Sequence, residues 1–158
     1  MAGFSTGATI GRPGDVHTTL QNPLGTEAKS TDGYWYRYMQ GVASLAAGDF
    51  VRYDGVNVTT RTTTTGPTSG RQAIATGAVD ATTKYGWFPV DGKYATANVA
   101  THSSGLGKAL FGSGTAGRLT TTPATEATVV GAFSDGDSVS NVGPVVIRAA
   151  SYVGDIST

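Results

Sequence analysis

Tyr34-Trp35-Tyr36-Arg37-Tyr38-Met39 and, further along, Phe50-Val51-Arg52-Tyr53-Asp54-Gly55-Val56-Asn57-Val58-Thr59 decide the fold class. In the first stretch the tyrosines recur every second residue, so a pleated strand places all of them on one face. The second stretch holds two β-branched runs around Asp54-Gly55. Asp-Gly favours a type I′ turn, whose two central residues both need positive φ, so a tight hairpin is expected there. The same pattern recurs where Trp87-Phe88-Pro89-Val90 and Lys93-Tyr94-Ala95-Thr96-Ala97 flank Asp91-Gly92. Pro89 has no N–H to donate to a ladder, which predicts an edge strand or a bulge at that point.

Working outward, residues 73–79, 109–111, 118–122, 129–133 and 144–149 read as further short strands. Residues 62–70 and 101–107 read as loops, and turns are expected near Asp80 and at Asp135-Gly136-Asp137. Turn signals recur roughly every 8–15 residues, the spacing of a small barrel or sandwich. No stretch keeps a helical period, so helix should be short or absent, and no repeat of fixed period is present.

Composition points the same way. Of 158 residues, 15 are Val against 6 Leu, and 25 are Thr. β-branched side chains suit a pleated sheet and lose rotamer freedom in a helix. Leu, Ile, Val and Phe sum to only 30, but two Trp and seven Tyr add to the material for a core. Lys and Arg number 11, as do Asp and Glu, so the formal net charge is zero. That balance leaves no basic footprint for nucleic acid or an anionic membrane, and neither is expected as a partner. Cysteine is absent, which removes disulfides, thiol nucleophiles and cysteine-ligated zinc. Residues 1–10 lack the basic start and apolar run of a signal peptide, and no apolar run approaches the ~20 residues of a membrane span.

Residues 1–33 differ from the rest. Their large apolar residues, Phe4, Ile10, Val16, Leu20 and Leu24, follow neither period, and Pro13 and Pro23 interrupt them. Such a segment builds no core of its own. It is expected to be an extended arm, residues 1–33, ahead of an all-β domain over residues 34–158.

Chemical motifs are weak throughout. Gly112-Ser113-Gly114-Thr115-Ala116-Gly117 matches G-x-G-x-x-G, but the Arg118-Leu119-Thr120-Thr121-Thr122-Pro123 that follows is a poor helix. A dinucleotide fingerprint needs a helix N-terminus there, so a glycine-rich hairpin loop is the better reading. Gly105-Leu106-Gly107-Lys108 is followed by Ala109, where a phosphate-binding loop carries Ser or Thr for magnesium. His17 and His102 are the only histidines. His102 beside Ser103 and Ser104, or paired with Asp135 or Asp137, is the enzyme alternative, and no nucleophile motif accompanies it. Asp32, Asp54, Asp91 and Asp135 each precede Gly, which turn chemistry explains. No catalytic residue, cofactor or metal site is expected.

The order of several small motifs resembles the head decoration, or capsid cement, proteins of tailed bacteriophages. Leu45-Ala46-Ala47-Gly48-Asp49-Phe50-Val51 is similar to their A-A-G-D-x-V opening. Ala75-Thr76-Gly77-Ala78-Val79-Asp80-Ala81 is similar to a G-V-A-type strand. Tyr85-Gly86-Trp87-Phe88-Pro89-Val90-Asp91-Gly92 resembles Y-G-W-x-x-V-x-G. Gly107-Lys108-Ala109-Leu110-Phe111 and Thr115-Ala116-Gly117-Arg118-Leu119 resemble G-x-x-L-[YF] and T-A-G-x-L, and Val130-Gly131-Ala132-Phe133 the strand that follows. The likeness spans about residues 40–150. It implies a small β-barrel or β-tulip, a homotrimer, on the outer surface of the virion capsid, assembled in the host bacterial cytoplasm and clasping major capsid protein subunits. The first 33 residues are longer than the family's usual start.

On that reading Phe4, Ile10, Leu20 and Leu24 are the expected capsid or inter-subunit anchors of the arm. Trp35, Tyr36, Trp87 and Phe88 are expected in the core or the trimer interface. The alternative is a tail-fibre or other virion β-domain that binds host-surface carbohydrate through Tyr34, Tyr36 and Tyr38.

Overall fold

Alternating β-branched and aromatic segments find partners along nearly their whole length. The computed structural model describes residues 11–31, 33–63, 69–103, 105–123 and 127–154. Phe4 and Ile10 therefore lie outside the described residues. Eleven strands form: β1 (Val16–His17), β2 (Glu27–Lys29), β3 (Trp35–Gln40), β4 (Phe50–Tyr53), β5 (Thr59–Arg61), β6 (Ser69–Ile74), β7 (Tyr85–Asn98), β8 (Leu106–Gly112), β9 (Leu119–Thr120), β10 (Ala127–Asp135) and β11 (Val142–Gly154). The protein is all-β, with no helix among the described residues.

The main path through the sheet is β2-β3-β7-β11-β10-β8-β9, and every ladder in it is antiparallel. A branch leaves it at β11, through β6 to β4 and β5. β11 pairs with β7 from Val142 to Arg148 and with β6 from Ser151 to Val153, so it changes neighbour in between. Single bridges, Gln40 with Val58 and Val99 with Leu119, meet across the two remaining gaps. Neither gap carries a continuous ladder, and the barrel is not closed.

Residues from the expected arm join this sheet. Val16 and His17 pair with Gly86 and Tyr85, while Glu27 to Lys29 pair with Arg37 to Trp35.

Two expected tight turns are not there, and a third stands elsewhere. Asp91-Gly92 lies inside β7, a 14-residue strand. Asp91 has ladder partners on both sides, Trp35 in β3 and Arg148 in β11, and continuous pairing overrides the turn preference. Gly92 keeps a positive φ of 123° and bends the strand against the ring of Tyr34, which a Cβ would strike. The register shifts between Trp35 and Tyr36, opposite Pro89 to Asp91, so Pro89 sits beside a bulge. At Asp54-Gly55 the register pairs Tyr53 with Thr59, too wide for a two-residue turn. The Asp54 carboxylate accepts from the Val56 and Val58 amides at 3.0 and 3.2 Å, and Asn57, not Gly55, takes the left-handed conformation at φ 63°. The two-residue turn is at Ser140-Asn141, with φ 52° and 64°, closed by paired backbone bonds between Val139 and Val142.

Three clusters fill the interior. Phe50, Ile74, Leu110, Leu119 and Ile147 anchor the first, between the β11 end of the sheet and its branch. Met39, Leu45, Val51, Tyr53, Val79 and Phe88 belong to the second. Ala28, Tyr36, Tyr38 and Trp87 make the third, with Leu24 half-buried against it.

The segment 45–49 locks the first two clusters together. Gly48 N–H donates to Ala75 O, Asn98 N–H to Gly48 O and Ala75 N–H to Asp49 O, at 2.7–2.8 Å. Phe50 N–H donates to Gly117 O, and Gly117 N–H to Thr62 O, each at 2.8 Å. The buried Asp49 carboxylate accepts from Asn98 Nδ2 at 2.9 Å and from the Ala46 amide at 3.1 Å. It also pairs with the Arg61 guanidinium at 3.0 Å. Arg118 Nε donates to Asn98 Oδ1 at 3.1 Å and extends the network. Gly117, at φ 79°, presses on this carboxylate so closely that a Cβ would sit 2.6 Å from it.

Burial raises two phenols above the usual tyrosine range. For Tyr38 burial dominates over the lowering by the Gln21 amide. For Tyr53 it dominates over the opposing pull of Arg37 and Arg71. In each case the folded state holds the proton more tightly than the unfolded chain does.

Two outcomes follow from this packing. Asp49→Ala leaves Arg61 and Asn98 without their partner and should cost about 3–5 kcal/mol. Glu27→Ala removes only a half-exposed partner of Arg37 and should cost at most about 1 kcal/mol. At about 2–4 °C per kcal/mol the two melting temperatures should separate clearly, and equal values would contradict the Asp49 network. Because both tyrosine pKa values are raised, their contribution is complete below the unfolded value of about 10 and is lost as pH rises through the folded values. The melting temperature should fall on the alkaline side of that value, and Tyr38→Phe should reduce the slope. Melts in buffers across that range measure both.

Candidate functional site: a surface cleft and an outer sheet face

Strand alternation sorts β3 into two sets. Tyr36 and Tyr38 turn inward, and Arg37 points to the other face, opposite Glu27 of β2. Three contacts hold its guanidinium. It donates from NH1 to Glu27 Oε1 and from Nε to Asn57 Oδ1, each at 2.6 Å, and its carbon lies 5.4 Å from the ring centre of Tyr53. That last approach is a cation–π contact.

Tyr53 ends β4 and stands opposite Arg71 of β6, whose positive charge opposes the effect of burial on its phenol. Arg37, Tyr53, Asp54, Gly55, Gly70 and Arg71 line an open cleft of about 440 Å³. Its polar lining is two guanidinium forks, a phenol and one carboxylate. The Asp54 carboxylate is engaged with the two loop amides.

The second feature is the outer face of β7-β11-β10-β8. Register places Trp35, Asp91 and Arg148 in one row and Lys93, Val146, Phe133 and Ala109 in the next. Within β11 and β10 these residues alternate with buried Val145, Ile147, Ala132 and Ser134, so they face outward. Trp35 is 43% exposed, Phe133 40% and Leu106 72%. Lys93 pairs with Asp135 across this face, and Lys29 Nζ lies 6.0 Å from the Trp35 ring centre. Val139 and Val142, beside the Ser140-Asn141 turn, add exposed apolar surface.

The residues singled out from the sequence divide between interior and surface. Tyr36, Trp87 and Phe88 are buried in the core clusters, while Trp35 reaches the outer face. Leu20 is exposed and Leu24 packs on the third cluster. Burial of Tyr36 and Tyr38 takes both rings out of reach of a sugar, which removes two of the three tyrosines expected to bind carbohydrate. His17 Nδ1 lies 2.9 Å from the Tyr38 hydroxyl and serves the packing. His102 is bridged through its backbone to Ser138, while Asp135 pairs with Lys93 and Asp137 accepts from the Gly105 amide. Residues 113–118 close the β8–β9 hairpin, and Leu106 opens β8, so neither glycine motif meets a helix. Among the described residues no three His, Asp or Glu side chains are grouped as a metal site requires.

Sequence reasoning did not assemble Arg37, Tyr53 and Arg71, which come from three strands. It quoted Asp49 only within a motif, although a carboxylate after Ala-Ala-Gly and before a buried strand was a signal for a structural clamp. No family model, curated protein or solved structure matches this chain.

Proposed function

We propose that the chain is a non-enzymatic decoration protein of a tailed-phage head, a homotrimer that binds the outer capsid surface and stabilises contacts between major capsid protein subunits. The observation that carries this reading is the order of the motifs along the chain, on strands and loops of one sheet. Residues 45–51 lead into β4, residues 85–92 form the first half of β7, and residues 107–111 lie in β8. Residues 115–119 run through the following loop into β9, and residues 130–133 lie in β10.

The physics suits the role. A protein that binds an assembled lattice better than its loose subunits stabilises the lattice by linkage. Many identical copies turn modest single contacts into avidity. A sheet face with Trp35, Phe133 and Leu106 exposed between paired charges offers apolar contact area within a polar rim.

Quantitative mass spectrometry of purified source particles tests the reading. A copy number near that of the major capsid protein is expected. A small fraction of that number would place the chain at a vertex or tail and overturn the decoration role, as would its absence from the particle.

A further inference from the structure

We propose that the cleft between Arg37 and Arg71 is a binding site for an oxyanion, a phosphate or a carboxylate group. One residue lies beside both cations. The Tyr53 ring receives the Arg37 guanidinium on its face, and Arg71 is its register partner on the neighbouring strand. A guanidinium fork matches the two oxygens of a carboxylate or phosphate, and a fork held in place loses little entropy when it binds.

Two positive charges line one cleft, and only one of them has an ion-pair partner among the described residues. Arg37 has Glu27 on its outer side. Arg71 forms no salt bridge among the described residues, where the pairs are Arg37–Glu27, Arg61–Asp49, Lys84–Asp80 and Lys93–Asp135. Asp54 also lines the cleft, with its Oδ1 turned to the Val56 and Val58 amides. An anion in the cleft would meet Arg71, which has no ion-pair partner among the described residues, and the partly accessible guanidinium of Arg37.

Space is provided by residues that lack side chains. Gly55 opens onto solvent, with nothing within 4 Å of where a Cβ would stand. Gly70 supplies the other bare wall, at a φ of 143° that disfavours any other residue. One wall of the cleft is therefore a five-residue loop whose shape Asp54 and Asn57 set, and the others come from β3, β4 and β6.

Isothermal titration of the purified protein at low salt with inorganic phosphate, and separately with glucuronate, tests the site. Saturable binding of at least one probe is expected, weakened about tenfold or more in Arg71→Gln and by less in Arg71→Lys, which keeps the charge but loses the fork. Saturation by phosphate alone identifies a phosphoryl ligand, and by glucuronate alone a carboxylate ligand. Circular dichroism melts confirm that the variants fold. Should Arg71→Gln melt early, Gly55→Leu leaves both arginines in place, adds bulk to the cleft wall and must weaken binding. No saturation by either probe in the wild type overturns the proposal. So does unchanged binding in a folded Arg71→Gln or Gly55→Leu protein. The decoration role does not enter this test, so the two readings fail separately.

Discussion

The structure turns on one buried carboxylate. Asp49 sits where three chain segments that are distant in sequence must meet: the end of β6 at Ala75, the end of β7 at Asn98 and the glycine-rich loop at Gly117. Burying an ionised carboxylate is costly unless charge and hydrogen bonds compensate it. Here Arg61, Asn98 and the Ala46 amide supply that compensation from three directions. The requirement also dictates the neighbours. Gly117 has no room for a side chain against the carboxylate, and Gly48 has none against the Thr96 carbonyl. The short Ala-Ala-Gly-Asp segment thus gains its meaning from the geometry of the clamp.

This dependence explains which features were legible beforehand. Strand identity was local: the period of Tyr34, Tyr36 and Tyr38 and the β-branched runs of β4, β10 and β11 carry it without tertiary help. The buried faces followed from the same period, as Tyr36 and Trp87 show. Reversals were less legible, because a turn preference is weak against a ladder. Asp91-Gly92 has the residues of a type I′ turn, yet partners on both flanks keep β7 continuous through it. Ser140-Asn141 lacks the strongest turn residues and still reverses the chain, because Val139 and Val142 pair across it. The cleft was invisible for a different reason. Arg37, Tyr53 and Arg71 come together only through the registers of β3, β4 and β6, and register depends on the whole sheet.

The N-terminal region shows how little apolar content a segment needs when a surface is waiting for it. Residues 11–31 could not form a core alone, yet Ala28 is fully buried and Leu24 packs on the same cluster. The Tyr38 hydroxyl lies within hydrogen-bond reach of His17 and accepts from the Gln21 amide. Such a strap orders against the finished sheet, and its ordering entropy is met by contacts that already exist there. The same principle would apply to an extended segment that orders against a neighbouring subunit.

The sheet branches at β11. β11 leaves β7 after Arg148 and joins β6 from Ser151, so one set of strands spreads into the outer face while the other folds over toward β3. The outer face is broad, partly apolar and crossed by the Lys93–Asp135 pair, which suits a large partner surface. The cleft is small and lined by two arginines, which suits a small charged group. A wide apolar face supplies area and little selectivity, whereas guanidinium forks supply selectivity and little area. One strand serves both: β3 puts Trp35 on the outer face and Arg37, two residues on, in the cleft, so its register fixes the two surfaces relative to each other.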